Sequence, residues 1–339
     1  MMRILRPTVL VAMAMILTQT ANADWVKLRS ASLAWFHDVT FTNENNGWIV
    51  GSGGTVLTTT DGGTTWTPVR KFTNDNLAEI HFTDAKTGWI LCQRDIYSRG
   101  GNAVSYLRKT VDGGRTWETV EFEAGGRERV ARLLFDGKGS AVAIGEGGIF
   151  YRLSEDGKTW KRSASSIKYL LLGGDFIDGS FGAIVGAGGT VMFTDDYGVT
   201  WEAATLLGNK DARFNSVFFS SRKYGWAVGS AGAIIASVGG GRLWREQPSG
   251  VDAELTDVFF TDDRQGWAVG DRGIILRTTN GGGKWSPVNS RTEHRLERVY
   301  FHNQKGWAVG FGGTILKHTD DRSSAPDGKP AIKPRTEQR

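Results

Sequence analysis

The chain has 339 residues, with 41 Lys and Arg against 36 Asp and Glu for a formal charge of +5, 40% apolar residues and 23% charged ones. That balance excludes a disordered or collagen-like chain, and so small a charge does not make nucleic acid a default partner. A single cysteine excludes an intramolecular disulfide framework, while 46 Gly and 13 Trp with only 7 Pro imply many tight turns around a recurring aromatic position.

The N-terminus reads as an export signal. Arg3 and Arg6 form a short positive region, Val9 to Leu17 is an apolar core, and Ala21-Asn22-Ala23 is a small-x-small cleavage site. The core is far shorter than the roughly 20 apolar residues that span a bilayer. No Cys follows it for a lipid anchor, and the two arginines are not adjacent as in a twin-arginine signal. Residues 1–23 are therefore expected to be a cleaved Sec-type signal peptide. The mature chain is expected in a periplasm or outside the cell, without direct membrane insertion.

Seven repeats of about forty residues follow. The frame places an aromatic residue at Phe41, Phe82, Phe135, Phe176, Phe219, Phe260 and Phe301. Nine or ten residues later stands a small one: Gly51, Cys92, Gly145, Gly186, Gly229, Gly270 and Gly310. Twelve of the thirteen tryptophans occupy two repeat positions, Gly-Trp (as at Trp48 and Trp267) and a closing Trp (as at Trp66 and Trp285); only Trp35 falls outside. Each copy reads as four short antiparallel strands, with the small residues letting neighbouring sheets approach closely. Units of this length and number predict a β-propeller. Copy seven stops at His318-Thr319-Asp320-Asp321 without its closing Trp, and Asp24-Trp25-Val26-Lys27 resembles the missing strand. The expected fold is all-β: a seven-bladed β-propeller over residues 24–321, its N-terminal strand closing the last blade. The tail, 322–339, has three prolines and no apolar pattern and is expected to be disordered.

The turn before the closing Trp carries a family resemblance. Thr59 to Trp66, Thr110 to Trp117 and Thr194 to Trp201 follow the Asp-box pattern, and the Ser154 copy is one residue tighter. An Asp carboxylate can accept backbone N–H groups within such a turn, so Asp61, Asp112 and Asp196 read as structural staples. Together with Gly-Trp-Ala-Val-Gly and the following Gly-x-Ile-Leu strand, the pattern over residues 25–321 resembles the photosystem II assembly/stability factor family of Asp-box propellers. That resemblance implies an exported or lumenal, non-enzymatic assembly factor with an arginine-rich surface that contacts its client.

The rival is a carbohydrate-active propeller, sialidase-like or sugar-binding. A glycosidase needs two carboxylates flanking the scissile bond. Asp38, Glu79, Asp257 and Glu297 lie at first-strand positions and read instead as channel lining, so no catalytic residue is assigned. The five histidines show no metal-ligand spacing, Cys92 reads as a small buried hydrophobe, and neither metal nor cofactor is expected.

Two decorations break the repeat. Copy two carries ten extra residues between its second and third strands, bringing Arg94, Tyr97 and Arg99. First-strand entrances carry Arg129, Arg132, Arg213, Arg295 and Arg298. Both should lie on the face opposite the Asp boxes, where these eight residues are the candidate partner-binding set, since arginine grips carboxylates with fork geometry. The expected partner is a protein with an acidic exposed segment, such as a membrane protein or complex, engaged by a monomer.

Overall fold

Each repeat copy forms one four-stranded antiparallel sheet, because its short apolar runs are cut by Gly-rich turns that leave no strand longer than seven residues among the described residues. The computed structural model describes residues 24–95, 100, 102–123, 126–163, 167–177, 179–208 and 211–319. The expected signal peptide and tail lie outside the described residues, as do Tyr97 and Arg99. Blade 1 runs outward through Phe36–Phe41, Gly47–Gly51, Thr55–Thr59 and Thr67–Pro68. The first strands of the next six blades are Asn76–Phe82, Val130–Phe135, Leu171–Phe176, Phe214–Phe219, Leu255–Phe260 and Leu296–His302. Successive first strands touch one another in a ring, blade 7 against blade 1 included. The chain is a seven-bladed propeller.

Asp24–Lys27 pairs antiparallel with Thr314–Thr319 and supplies the outer strand of blade 7, Trp25 facing His318 in register. In all seven blades the phenylalanine at or next to the end of the first strand meets the closing tryptophan of its own sheet. Ring centroids stand 5.8–6.3 Å apart, and Trp25 against Phe301 is one of the series at 6.0 Å. Several Gly-Trp indoles stack across to the phenylalanine of the next blade, as Trp226 does on Phe260 at 3.5 Å and Trp307 on Phe41 at 3.9 Å. Both tryptophan positions thus converge on one phenylalanine. This explains why the three series share a period.

The small-residue series has a different cause from the one expected. A Cβ on Gly51, Gly270 or Gly310 would stand 2.3, 2.0 and 2.0 Å from the carbonyl oxygens of Trp35, Glu254 and Arg295. Those carbonyls belong to the entrance of the same blade, so the close approach is within a sheet and not between sheets. It arises where the first strand bulges, as between Phe36 and Asp38. Blade 2 accepts Cys92 there because its ladder continues through Asn76 and Gln93.

The Asp boxes form the expected turns. Asp61 Oδ1 accepts the N–H groups of Thr64 and Thr65, each at 2.9 Å, and Thr65 Oγ1 donates to Oδ2 at 2.6 Å. These bonds hold the Asp61 carboxyl below its ordinary range. Third-strand cations then tie one box to the preceding blade: Arg152 donates to the Tyr197 carbonyl at 3.0 Å and Lys317 to that of Gly62 at 2.9 Å. One feature had no sequence signal. Thr205–Leu207, leaving blade 4, adds a parallel fifth strand to Leu243–Glu246 of blade 5 and covers that edge.

Trp25→Ala removes a fully buried indole from the seam and should destabilise the protein by about 3–5 kcal/mol in denaturant titration. A loss below about 1 kcal/mol would show that the N-terminal strand contributes little to closure.

Candidate functional site

The bulge in each first strand sets one residue per blade facing the central channel, a side chain in six blades and a glycine in blade 4. In chain order these are Asp38, Glu79, Arg132, Gly173, Ser216, Asp257 and Arg298. The carboxylates among them bond forward to the next blade. Asp38 Oδ2 accepts the Ile80 N–H at 2.9 Å, Glu79 Oε2 that of Leu133 at 2.8 Å, and Asp257 Oδ2 that of Val299 at 2.9 Å. Arg298 closes the circle, donating from Nε to Asp38 at 2.8 Å and from Nη1 to Asp257 at 3.4 Å. Burial works against its charge, but Asp38, Asp257 and Glu79 hold the guanidinium pKa above its ordinary value. Burial pushes Glu79 up to about 7 despite the pull of Arg132 and Arg298. One layer deeper, burial pushes Asp175 to about 7 although Phe219 and Phe176 donate N–H bonds to it.

Two of the expected partner-binding arginines are therefore channel residues. Arg298 is 14% exposed and committed to two buried carboxylates, and Arg132 lies in the channel wall under the influence of Glu79. Arg94 is also engaged. Its guanidinium pairs with Glu121, donates to the Ala103 carbonyl at 2.9 Å and lies 4.0 Å over the Tyr106 ring, bracing the lengthened hairpin. Arg213 and Arg295 reach the rim but already hold carboxylates: Arg213 pairs with Glu254 at 2.6 Å, and Arg295 with Glu297 at 2.7 Å and Asp271 at 2.5 Å. Arg129 is exposed, and its guanidinium donates to Gln93 at 3.3 Å.

Entrance loops and second hairpin tips share one face. The Trp35 carbonyl accepts the Ser52 N–H at 2.8 Å, and the Arg129 carbonyl that of Glu146 at 2.9 Å. At the centre of this face the channel opens into a cavity of about 490 Å³ lined by Trp35, His37, Gln93, Arg129, Arg132 and Glu297, among others. Arg129, Arg132 and Arg295 meet there; Arg94, Arg213 and Arg298 do not line it. Trp35 was missed as a site residue. Its signal was being the one tryptophan off the repeat positions. Its indole N–H donates to Glu297 at 2.9 Å, and its ring packs edge-on against Phe311 at 5.5 Å.

The buried Cys92 thiol is pushed up to about 12 by burial, which suits a packed side chain and not a nucleophile. Among the described residues no group of three His, Cys, Asp or Glu side chains could hold a metal ion.

Arg298→Met would leave Asp38 and Asp257 buried without their cation and should cost about 3–5 kcal/mol in unfolding experiments. A neutral result would move the seam's stability elsewhere. Asp175 gives a pH signature of known sign. Its raised carboxyl keeps a proton that the unfolded chain has released, so its contribution is full below about pH 4 and is lost as pH rises through about 7. His37 and His81, lowered to about 4 mainly by burial, act oppositely, destabilising the fold as pH falls below 6.5. Comparing wild type with Asp175→Asn isolates the carboxyl: the advantage of the wild type should shrink between about pH 4 and pH 7. A constant difference would contradict the assignment.

A family profile described as Photosynthesis system II assembly factor YCF48 matches residues 17–161, 158–249 and 242–326. The Photosystem II assembly protein Ycf48 of Thermosynechococcus vestitus is 26% identical over 261 residues, covering 66% of this chain and 74% of that protein. A solved structure of YCF48 bound to D1 peptide superposes with a TM-score of 0.71 at 19% identity, over 89% of this chain and 96% of the other. The GH74 xyloglucanase from Xanthomonas campestris also superposes, with a TM-score of 0.68 at 15% identity over 87% of this chain and 53% of the enzyme chain. At such identities a shared structure speaks for the fold alone. The profile match extends across the propeller, and the chain belongs to the Photosynthesis system II assembly factor YCF48 family.

Proposed function

We propose that this chain is an exported, non-enzymatic scaffold that holds an exposed segment of a membrane protein or membrane-protein complex during its assembly. The observation that carries the reading is the polar, arginine-bearing channel mouth on the entrance face. Arg129 offers a guanidinium with no carboxylate partner among the described contacts, and Arg132 lies beneath it in the channel wall. An acidic segment of a client would complement both. The solved relative bound to a D1 peptide supports peptide recognition within the family.

The channel carboxylates favour this reading over glycan cleavage. A glycosidase keeps one carboxyl group as acid and another as base or nucleophile, both facing substrate. Here Asp38, Glu79 and Asp257 each accept a backbone N–H of the neighbouring blade, and two of them also hold Arg298. Their chemistry is occupied in joining sheets.

Site-specific photocrosslinking in the membranes of the source organism tests the proposal. A crosslinker replacing Arg129 should trap an integral membrane protein, whereas one replacing Val111, exposed at an Asp-box turn of the opposite face, should not. Equal labelling from both positions, or none from Arg129, would contradict the assigned face. Rim charge contacts should also weaken with salt, because exposed charges are screened beyond about 8 Å at physiological ionic strength.

A further inference from the structure

The seven repeats supply an internal control for surface residues, since equivalent positions do the same structural work in each blade. Three residues before the first-strand residue that pairs with the small-residue position (Phe36 in blade 1, Leu77 in blade 2), six blades carry polar or charged side chains: Asn74, Arg127, Lys168, Asp211, Asp252 and Glu293. Blade 1 carries Leu33, 87% exposed. At the tip of the second hairpin Ser52, Glu146, Ala187, Ser230 and Asp271 are small or polar. Blade 7 carries Phe311, 49% exposed. One residue before that same frame position, blades 2, 3, 5, 6 and 7 have Asn76, Arg129, Arg213, Glu254 and Arg295, blade 4 has the half-buried Leu170, and blade 1 has Trp35, 37% exposed. The propeller demands none of these three apolar side chains, yet all three fall at the seam between blades 7 and 1.

They form one surface. Trp35 packs on Phe311 at 5.5 Å and on His37 at 5.6 Å. The Ser32-Leu33 backbone abuts Gly313 at the base of the Phe311 hairpin, and the Gly313 N–H donates to the Ala34 carbonyl at 2.8 Å. The surface is also held in place. Trp35 is fixed by its bond to Glu297, and its own backbone N–H donates to Ser52 at 3.0 Å; His294 Nδ1 lies 3.1 Å from the Phe311 carbonyl oxygen. Pre-ordered aromatic side chains lose little entropy on binding and are frequent interface anchors.

Of the three, Trp35 lines the same 490 Å³ cavity as Arg129 and Arg132, so whatever fills the mouth meets this indole at the seam, with Phe311 packed against it, and guanidinium groups on blade 3. We infer that Leu33, Trp35 and Phe311 form an apolar anchor site that takes a bulky aliphatic or aromatic side chain of an extended peptide segment whose acidic residue is held by Arg129 and Arg132. This rests on the scaffold reading and deepens it by naming the kind of segment: apolar anchor plus acid, not acid alone. A peptide is the occupant that carries an apolar side chain and a carboxylate within a few residues of each other, matching the Trp35 indole and the two guanidinium groups that line one cavity.

Selection of a random phage-displayed 12-mer library on the full mature protein tests it without knowledge of the client. Enriched peptides should share a bulky apolar residue and a nearby Asp or Glu. A synthetic copy of one should lose about tenfold or more in affinity against the Leu33→Ser, Phe311→Ser double variant, whose changes lie on exposed side chains, and a similar factor against Arg129→Ala. No enrichment, enriched peptides lacking either element, or affinity unchanged in the double variant would overturn the inference. So would phosphatidylglycerol vesicles binding in place of peptide with the same dependence on Leu33 and Phe311, or self-association of the wild type that the double variant abolishes. Crosslinking to a membrane protein from position 129 with any of these outcomes would leave the scaffold reading standing and remove only the anchor site.

Discussion

Blade 7 is built from both ends of the propeller segment, with Trp25 packed on Phe301 at the circumference while Arg298 joins Asp257 of blade 6 to Asp38 of blade 1 at the axis. A propeller is stable only if its circle stays shut, because an open circle exposes two sheet faces and an unpaired strand edge. Here closure is secured at two radii by different chemistry. The outer lock is apolar burial and a strand ladder; the inner one is a charged clamp in a narrow channel. Neither Trp25 nor Arg298 is available for anything else.

The same closure brings the proposed anchor residues together. The loop that crosses the seam before blade 1 carries Leu33 and Trp35, and the last hairpin carries Phe311, so the residues that depart from the repeat face each other only when blades 7 and 1 meet. Arginines divide into two groups by depth. Arg298 and Arg132 lie within the channel, while Arg129, Arg213 and Arg295 stand at the entrance face. Two of the rim arginines already neutralise Glu254, Asp271 and Glu297, which concentrates unpaired positive charge toward blade 3.

The fold was legible because the repeat writes it seven times. Phe41 and its six counterparts, the Gly-Trp pairs and the closing tryptophans share a period; the structure shows each phenylalanine meeting its closing tryptophan, and four of the seven also meeting a Gly-Trp indole of the preceding blade. Even Trp25, separated from its blade by nearly the whole chain, could be placed by that pattern. The parallel strand Thr205–Leu207 could not, because three residues outside the repeat carry no periodic signal. The site was legible only as a face. Sequence placed arginines at the entrances, but whether a guanidinium points inward to a carboxylate or outward to solvent depends on the strand bulge, where one residue of register separates Glu297 at the mouth from Arg298 in the channel. Trp35 stands out in the sequence only as the one tryptophan off the repeat positions, without the charge that marks the arginines.

The claim that the entrance face is where a client sits is tested most directly by hydrogen–deuterium exchange on the protein alone and in complex with a bound client or selected peptide. The account requires slowed exchange in the segments entering blades 1, 3 and 7, around Leu33 to His37, Arg127 to Arg132 and Thr292 to Arg298, with the Asp-box turns near Asp61, Asp112 and Asp196 unchanged. Protection confined to those turns, with the channel mouth exchanging as in the free protein, would contradict it.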